Sequence, residues 1–278
     1  MEKIKKYFGE FNMTWSRVIL LAIITAVYTA LINQVSFLKD TSFQDIAINI
    51  DCWILFAIFI IVNCKKWWEA SLKCFVFFLV SQPLIYLIEV PFYEYGWEIF
   101  RYYDYWFKIT LLTLPGAVIA FQLKKKNWLS VLILSVATGY LAYASVDYFR
   151  AAMANFPNHL FSAIFALALA IFFVLVLLDQ QKHRITALAI IAAVLIVVAL
   201  FTGPDKSKDI LLDEGNWTYS MEGESVVVVE ITDGNHVTLT AKRDGNTFIR
   251  FEKADGTEQN YYVTVSGGSI WINLLDEE

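Results

Sequence analysis

Residues 89–108 read EVPFYEYGWEIFRYYDYWFK, a stretch that combines many aromatic side chains with charges of both signs. A long apolar run lies on each side of it, and each run contains a proline near its middle, Pro83 or Pro115. Aromatic rings collect where a membrane meets water, because one edge of such a ring is apolar and the other can be hydrated. The stretch therefore predicts a membrane-surface segment between two spans.

The runs around this stretch determine the fold class. Hydrophobic residues make up 58% of the 278 residues, whereas an ordinary soluble domain has about 45–50%. A helix needs about 20 mostly apolar residues to cross the hydrocarbon core. We predict a multi-pass α-helical membrane protein whose domain 17–204 has seven transmembrane helices, after an inner-surface amphipathic segment at 1–16. The predicted spans are 17–38, 46–64, 70–90, 106–123, 128–147, 160–178 and 185–203.

The distribution of Lys and Arg predicts the orientation of these spans. Of the 16 Lys and Arg residues before residue 205, twelve fall on the side of the N-terminus. Four fall on the other side: Lys39, Arg101, Lys108 and Arg150. Because cytoplasmic flanks carry the excess of basic residues, we expect a cytoplasmic N-terminus and, after seven crossings, an extracytoplasmic C-terminus. The first run has no cleavage site of small residues and predicts a retained signal anchor.

Residues 205–278 are polar and predict a separate β domain. Gly-containing turn pairs recur there, among them Asp233-Gly234, Asp244-Gly245 and Asp255-Gly256, at steps of 8 to 12 residues. Asp-Gly between β-prone runs is a strong hairpin signal. We predict an all-β, antiparallel meander of about six short strands that closes as a small barrel or folds as a sandwich. The domain has no cysteine, which favours a bacterial plasma membrane and envelope over a disulfide-rich eukaryotic lumen.

The charge and alternation of this domain bear on its partners. It carries a net charge of −9, against +4 for the rest of the chain, and an acidic domain gives no reason to expect nucleic-acid binding. Alternation puts Phe248, Tyr262 and Trp271 on the face opposite the predicted core. These rings are candidates for a binding patch, although they could equally cover a second sheet or dock on the membrane part.

Read as a helix that begins at Pro91, the opening stretch has its charges on one stripe. Those charges are Glu94, Glu98, Arg101, Asp104 and Lys108, at steps of 4, 3, 3 and 4. Trp97 falls inside the stripe. The stretch could be an aromatic platform for a lipid headgroup, a sugar or a cation, with Tyr93, Trp97, Arg101 and Tyr103 as ligands. The alternative is the ordinary aromatic belt that anchors spans.

Polar residues in the predicted spans lie mostly in the outer half, which points to a pocket that opens outward. The alternative is that they are hydrated at the interface or bonded to neighbouring helices. Asp147 has Arg150 three residues away as a partner. The candidates for ligand binding from this group are Asp51, Gln82, Glu89, Asp147, Arg150 and His159.

The motifs of common enzyme classes are missing from the sequence, and the topology separates its three histidines. We therefore assign no catalytic residue, no metal and no cofactor. The leading hypothesis is an envelope binding or accessory protein whose extracytoplasmic face engages a membrane lipid, a glycan or a protein partner. One alternative is a transporter of a small solute or lipid that uses helices broken at Pro83 and Pro115. A less favoured one is an outer-face enzyme that uses Asp51, Glu89 or Asp147.

Overall fold

The computed structural model describes residues 8–38, 41–93, 96–154, 156–201, 206–213, 215–223, 225–232, 235–243, 245–266 and 269–275. The chain divides into two compact units. The helical unit comprises Met1–Tyr148 and His159–Ile196, and the C-terminal unit comprises Phe149–Asn158 and Val197–Glu278. All strands in the described ranges belong to the C-terminal unit.

Each of the seven predicted runs forms helix. The α-helices are α1 (Trp15–Gln34), α2 (Ser42–Ile48), α3 (Ile50–Val62), α4 (Trp67–Glu89), α5 (Tyr103–Ala120), α6 (Trp128–Ala154), α7 (Leu160–Leu177) and α8 (Gln181–Phe201). Short 3₁₀ helices cover Ser36–Leu38, Val90–Phe92, Gly96–Tyr102 and Phe121–Lys125. In the described residues, six helices are long and apolar enough to cross a membrane, or seven if α2 and α3 form one span.

The second predicted span is not one straight helix. Its two parts, α2 and α3, are bent by 47°, because Asn49 between them has extended backbone with φ −77° and ψ 157°. Asn is favoured where a helix begins, and Asp51 in the first turn of α3 suits the positive end of that helix. The transporter alternative assumes breaks at Pro83 and Pro115, and these are absent, since α4 and α5 continue through both prolines.

The single helix expected from Pro91 to Lys108 is also wrong. The chain forms a 3₁₀ turn at Val90–Phe92 and another at Gly96–Tyr102, and α5 begins only at Tyr103. Gly96 has φ +56°, a left-handed conformation that interrupts a helix. A 3₁₀ helix has three residues per turn. The 4-3-3-4 spacing of the charges fits one α-helix of 3.6 residues per turn, and it therefore does not fit this backbone. Glu94 lies outside the described residues.

Two apolar clusters form the core of the helical unit. In the first, α1 packs on α4, and fully buried alanines at every fourth residue of α1 (Ala22, Ala26 and Ala30) allow a close approach. The second cluster joins α3 to α6, α7 and α8 around Leu134, Leu141 and Phe173. Since α3 contributes to both clusters, it links the two halves of the unit.

Residues 8–13, before α1, are held by the amide of one residue at the end of α3. Asn63 Oδ1 accepts from the Phe11 N–H at 2.7 Å, and Asn63 Nδ2 donates to the Phe8 carbonyl at 2.7 Å. The Phe8 ring packs against Phe59 and Phe172. The basic, aromatic segment expected at 1–16 therefore packs, in its described part, on the ends of α3 and α7.

The C-terminal unit is a sandwich of two antiparallel sheets. Its strands are β1 (Ser207–Leu211), β2 (Trp217–Gly223), β3 (Val227–Thr232), β4 (His236–Ala241), β5 (Gly245–Lys253), β6 (Glu258–Ser266) and β7 (Ser269–Leu275). One sheet has the order β1-β4-β3, and the other has the order β2-β5-β6-β7. The predicted meander holds for β5 to β7, whereas β1 and β2 pair with strands distant in sequence.

A shared core joins the two sheets of the sandwich. Leu239 from the first sheet and Ile249, Phe251 and Val263 from the second are fully buried in it. The predicted turn at Asp255-Gly256 joins β5 to β6, with Gly256 at φ +87°. The Thr257 N–H donates to Asp255 Oδ1 at 2.9 Å and holds the pKa of Asp255 below its ordinary value.

We expect Phe251→Ala to lower the free energy of unfolding of the sandwich by about 3–5 kcal/mol, because it leaves a cavity in a small core. Hydrogen exchange of the β5 and β6 amides in the full-length protein measures the loss. Val228→Ala, at a side chain that is 44% exposed on β3, is the control and should change it by less than about 0.5 kcal/mol. Equal protection in the two variants would show that Phe251 is not a core residue.

Candidate functional site

An apolar groove lies between α3, α5 and α6 of the helical unit. Its volume is about 970 Å³. Side chains such as Leu132 and Val136 are more than half exposed although they line it, so the groove opens sideways along the helices. Other lining residues are Ile50, Ile54, Ile58, Trp106, Ile119 and Leu129.

The middle and the ends of this groove differ in chemistry. Gly116 lies in its wall, and a Cβ at that position would meet no heavy atom within 4 Å. Trp106 lines one end of the groove, and Gln122 and Lys125 line the other. The 20 residues from Trp106 to Lys125 extend over about 30 Å at the usual helical rise. The groove is therefore as long as a bilayer's hydrocarbon core is thick.

A polar cluster joins α2 to the start of α7. Asp45 Oδ2 lies 2.8 Å from His159 Nδ1 and accepts from the Ser162 hydroxyl at 2.7 Å. Ser42 Oγ accepts from the Ser162 N–H at 3.1 Å. The carboxylate is the shared centre here, with the imidazole and the hydroxyl each bonded to it. The arrangement thus differs from a catalytic triad, in which the histidine lies between the serine and the acid.

Asp51 lies just beyond the break between α2 and α3, and its side chain is fully buried. The Tyr148 hydroxyl of α6 donates to Asp51 Oδ1 over 3.4 Å, which is a long hydrogen bond. Among the described residues, Asp51 Oδ2 has no hydrogen-bond partner. Asp51 follows Asp45 by six residues, across the bend between α2 and α3.

The other predicted carboxylate in the spans, Glu89, has its own partner. Asn33 Nδ2 of α1 donates to Glu89 Oε1 at 2.7 Å, and Glu89 is only 6% exposed. Gln82 is buried two turns earlier on the same face of α4, where its Nε2 has no partner in the described part of the chain. Asp51 and Glu89 therefore belong to separate contacts, and the structure does not bring them together as a pair of acid–base carboxylates.

The opening stretch forms an aromatic cluster rather than a charged stripe. Trp97 is 67% exposed and stacks on Phe100, with ring centroids 5.7 Å apart. Phe100 in turn contacts Tyr86 of α4 and Tyr103 at the start of α5. Of the candidates here, Tyr93 and Tyr103 are partly buried, and the side chain of Arg101 is outside the described set. The cluster anchors this connection to α4 and α5.

Two further candidates occupy different places. Asp147 is exposed on α6 in the helical unit. The Arg150 guanidinium, in the C-terminal unit, donates to the Val198 carbonyl at 2.9 Å and caps the end of α8.

The three aromatic candidates of the sandwich share one outward face, as the alternation predicts. Phe248 is directly opposite Tyr262 in the β5–β6 ladder, and Trp271 is opposite Thr264, one step along the same face. Tyr262 is 40% exposed and Trp271 is 61% exposed. These rings form an exposed aromatic strip, the kind of surface that binds a glycan ring or a protein side chain.

Sequence reasoning missed several residues that define the polar region. Ser42 and Asp45 come just before the predicted second span, at helical spacing from Asn49 inside it, and this pattern was the available signal for a polar face on α2. Ser162 and Tyr148 carried no signal, because a lone Ser or Tyr at a helix end is common. Gly116 carried no signal of its own, since sequence periodicity does not show where two helices are far enough apart to leave a groove.

Comparison with protein-family models, with curated proteins and with solved structures found no match to this chain.

We expect Asp45→Ala to lower the free energy of unfolding by about 1–3 kcal/mol, because it leaves the His159 ring and the Ser162 hydroxyl without their shared acceptor. Thermal unfolding of the purified protein in detergent, followed by intrinsic fluorescence, measures the change. Asp104→Ala, at an exposed carboxylate in the first turn of α5, is the matched control. If both variants melt alike, the cluster does not stabilise the helical unit.

Proposed function

We propose that this protein is a seven-span membrane protein of a bacterial envelope that binds an anionic phospholipid in the groove between α3, α5 and α6. Its N-terminus is cytoplasmic and its sandwich is exported. The acyl chains lie along the groove, and the phosphate lies beside Lys125. The observation that carries the proposal is the apolar groove of about 970 Å³ that opens sideways.

The outer surface of the helices supports the membrane placement. Leu20 of α1, Leu112 of α5 and Val136 of α6 are 56%, 67% and 74% exposed. A soluble protein rarely exposes contiguous apolar surface on this scale, whereas lipid tails solvate it without cost.

The charge distribution supports seven crossings over six. If the bent pair α2–α3 crosses, twelve Lys and Arg residues lie on the N-terminal side and four lie opposite. If the pair turned back, every later loop would change sides, and the counts would become seven and nine. Because positive charge concentrates on the cytoplasmic side, the crossing pair is the better arrangement.

The shape and lining of the groove support a lipid as its occupant. A long apolar groove that opens sideways fits the extended acyl chains of a lipid better than a compact solute. Gly116 leaves room at mid-depth, where a side chain would otherwise fill the groove. Gln122 and Lys125 at one end supply an amide and an ammonium group, which suit a phosphate anion. These contacts favour a lipid with negative charge.

A second candidate is a transporter, and one specific observation favours it. Helices interrupted inside a membrane are how many transporters build binding sites. The interruption here lies at Asn49, next to the buried Asp51, rather than at the prolines. In either case the exported sandwich offers its aromatic strip of Phe248, Tyr262 and Trp271 to a glycan or protein partner.

Reporter fusions test the seven-span arrangement. We expect green fluorescent protein to fluoresce, and alkaline phosphatase to be inactive, when fused after Lys65 or after Lys126. We expect the reverse when the reporters follow Phe201. If the fusion after Lys65 behaves as extracytoplasmic, α2 and α3 do not cross and the proposed topology is wrong.

Filling the groove tests the lipid site. We expect Gly116→Trp to reduce the fraction of protein that retains phosphatidylglycerol in native mass spectrometry about tenfold, which corresponds to about 1.4 kcal/mol. The Trp ring enters open space at this position, so the helices need not move. The control is Leu112→Trp on an exposed face of α5 outside the groove, which should retain the lipid.

Reversing the charge at one end of the groove tests the headgroup. Lys125→Glu should abolish the preference for phosphatidylglycerol over phosphatidylcholine and leave retention of the zwitterionic lipid unchanged, whereas Lys65→Glu should change neither.

Equal lipid retention by wild type and Gly116→Trp would refute the groove as the lipid site.

A further inference from the structure

The buried carboxyl group of Asp51 has no role in the proposed lipid site. Its side chain has 0% exposure. Oδ1 accepts one long hydrogen bond from Tyr148, and Oδ2 has no partner among the described residues. An ionised carboxylate removed from water is costly unless hydrogen bonds or a countercharge compensate it. One bond of 3.4 Å is weak compensation, so burial favours the neutral form of this group.

The same group also has a feature that favours its ionised form. Asp51 is in the first turn of α3, which has 13 residues. The N-terminal end of a helix carries partial positive charge, which lowers the cost of an anion there. Burial thus favours the neutral acid and the helix end favours the anion. Two opposed effects at one carboxyl group allow it to change its charge.

Two titratable groups close to Asp51 lie on other helices. The Tyr148 hydroxyl of α6 contacts Asp51 directly, and Asp45 of α2 comes six residues earlier, across the bend at Asn49. Asp45 in turn pairs with His159, whose Nδ1 lies 2.8 Å from the Asp45 carboxylate. The side chains of Asp45 and His159 are 15% and 16% exposed, so protons from solvent can reach this pair.

We propose that Asp51 is a reversible proton-binding site. A proton from solvent adds to the Asp51 carboxylate and gives a neutral carboxylic acid, and it returns to solvent when the carboxylate forms again. A proton suits the site better than a multivalent metal, since the described residues contain no group of three His, Cys, Asp or Glu that could hold one.

Nuclear magnetic resonance of protein with ¹³C-labelled aspartate side chains, in phosphatidylcholine nanodiscs, tests the proposal. We expect one carboxyl resonance to move from the protonated to the ionised position at a higher pH than the other aspartate resonances. Asp51→Asn should remove that resonance. Asp104→Asn, at an exposed aspartate of α5, should leave it in place. If the resonance lost in Asp51→Asn is ionised throughout the titration, the proposal is wrong.

Two further variants keep the test valid if Asp51→Asn does not fold. Asp45→Asn removes a neighbouring negative charge, so the midpoint for Asp51 should move to lower pH. Tyr148→Phe removes the hydroxyl that stabilises the anion, so the midpoint should move to higher pH. Replacing Na⁺ by choline should leave the midpoint unchanged. A midpoint that depends on Na⁺, or that neither variant moves, would overturn the proposal in favour of a cation site or a static buried acid.

Discussion

The helical unit depends on one constraint: a backbone carbonyl that loses its helical donor in apolar surroundings needs a donor from elsewhere. At the break after α2, the Thr29 hydroxyl of α1 donates to the Ala47 carbonyl at 3.2 Å. After α3, the Lys124 ammonium donates to the Cys64 carbonyl at 2.6 Å. At the end of α7, the Arg184 guanidinium donates to the Leu178 carbonyl at 2.6 Å. The helices can end and bend where they do because these donors come from other segments.

The basic residues therefore have two effects at once. Lys124 and Arg184 contribute to the charge asymmetry that supports the proposed orientation, and both also satisfy the ends of helices. Lys126 adds an ion pair with Asp179, at 2.5 Å, between the connections that follow α5 and α7. Lys73 bonds both Glu69 and the Met13 carbonyl, which ties the chain before α1 to α4. Removing a lysine here would alter helix packing as well as membrane orientation.

What the sequence predicted depends on the range of the interaction. Apolar runs and Asp-Gly turns act within about 20 residues, and they predicted the helices and several strands. Asp45 and Ser162 are 117 residues apart, and β2 pairs with β5 across two intervening strands. No local pattern records such pairings. The failures at Asn49 and Gly96 have a different origin, because a single backbone conformation there interrupts a periodic pattern that otherwise continues through it.

The two sites of the helical unit both use α3. Ile50, Ile54 and Ile58 recur at every fourth residue and face the groove, whereas Asp51 contacts Tyr148 of α6. A helix of 13 residues moves as one body, so a rotation about Asn49 would displace the groove wall and the carboxyl group together. Neither site needs the other for its chemistry. Any coupling between lipid and proton would therefore require the bend at Asn49 to have two positions that the two ligands favour unequally.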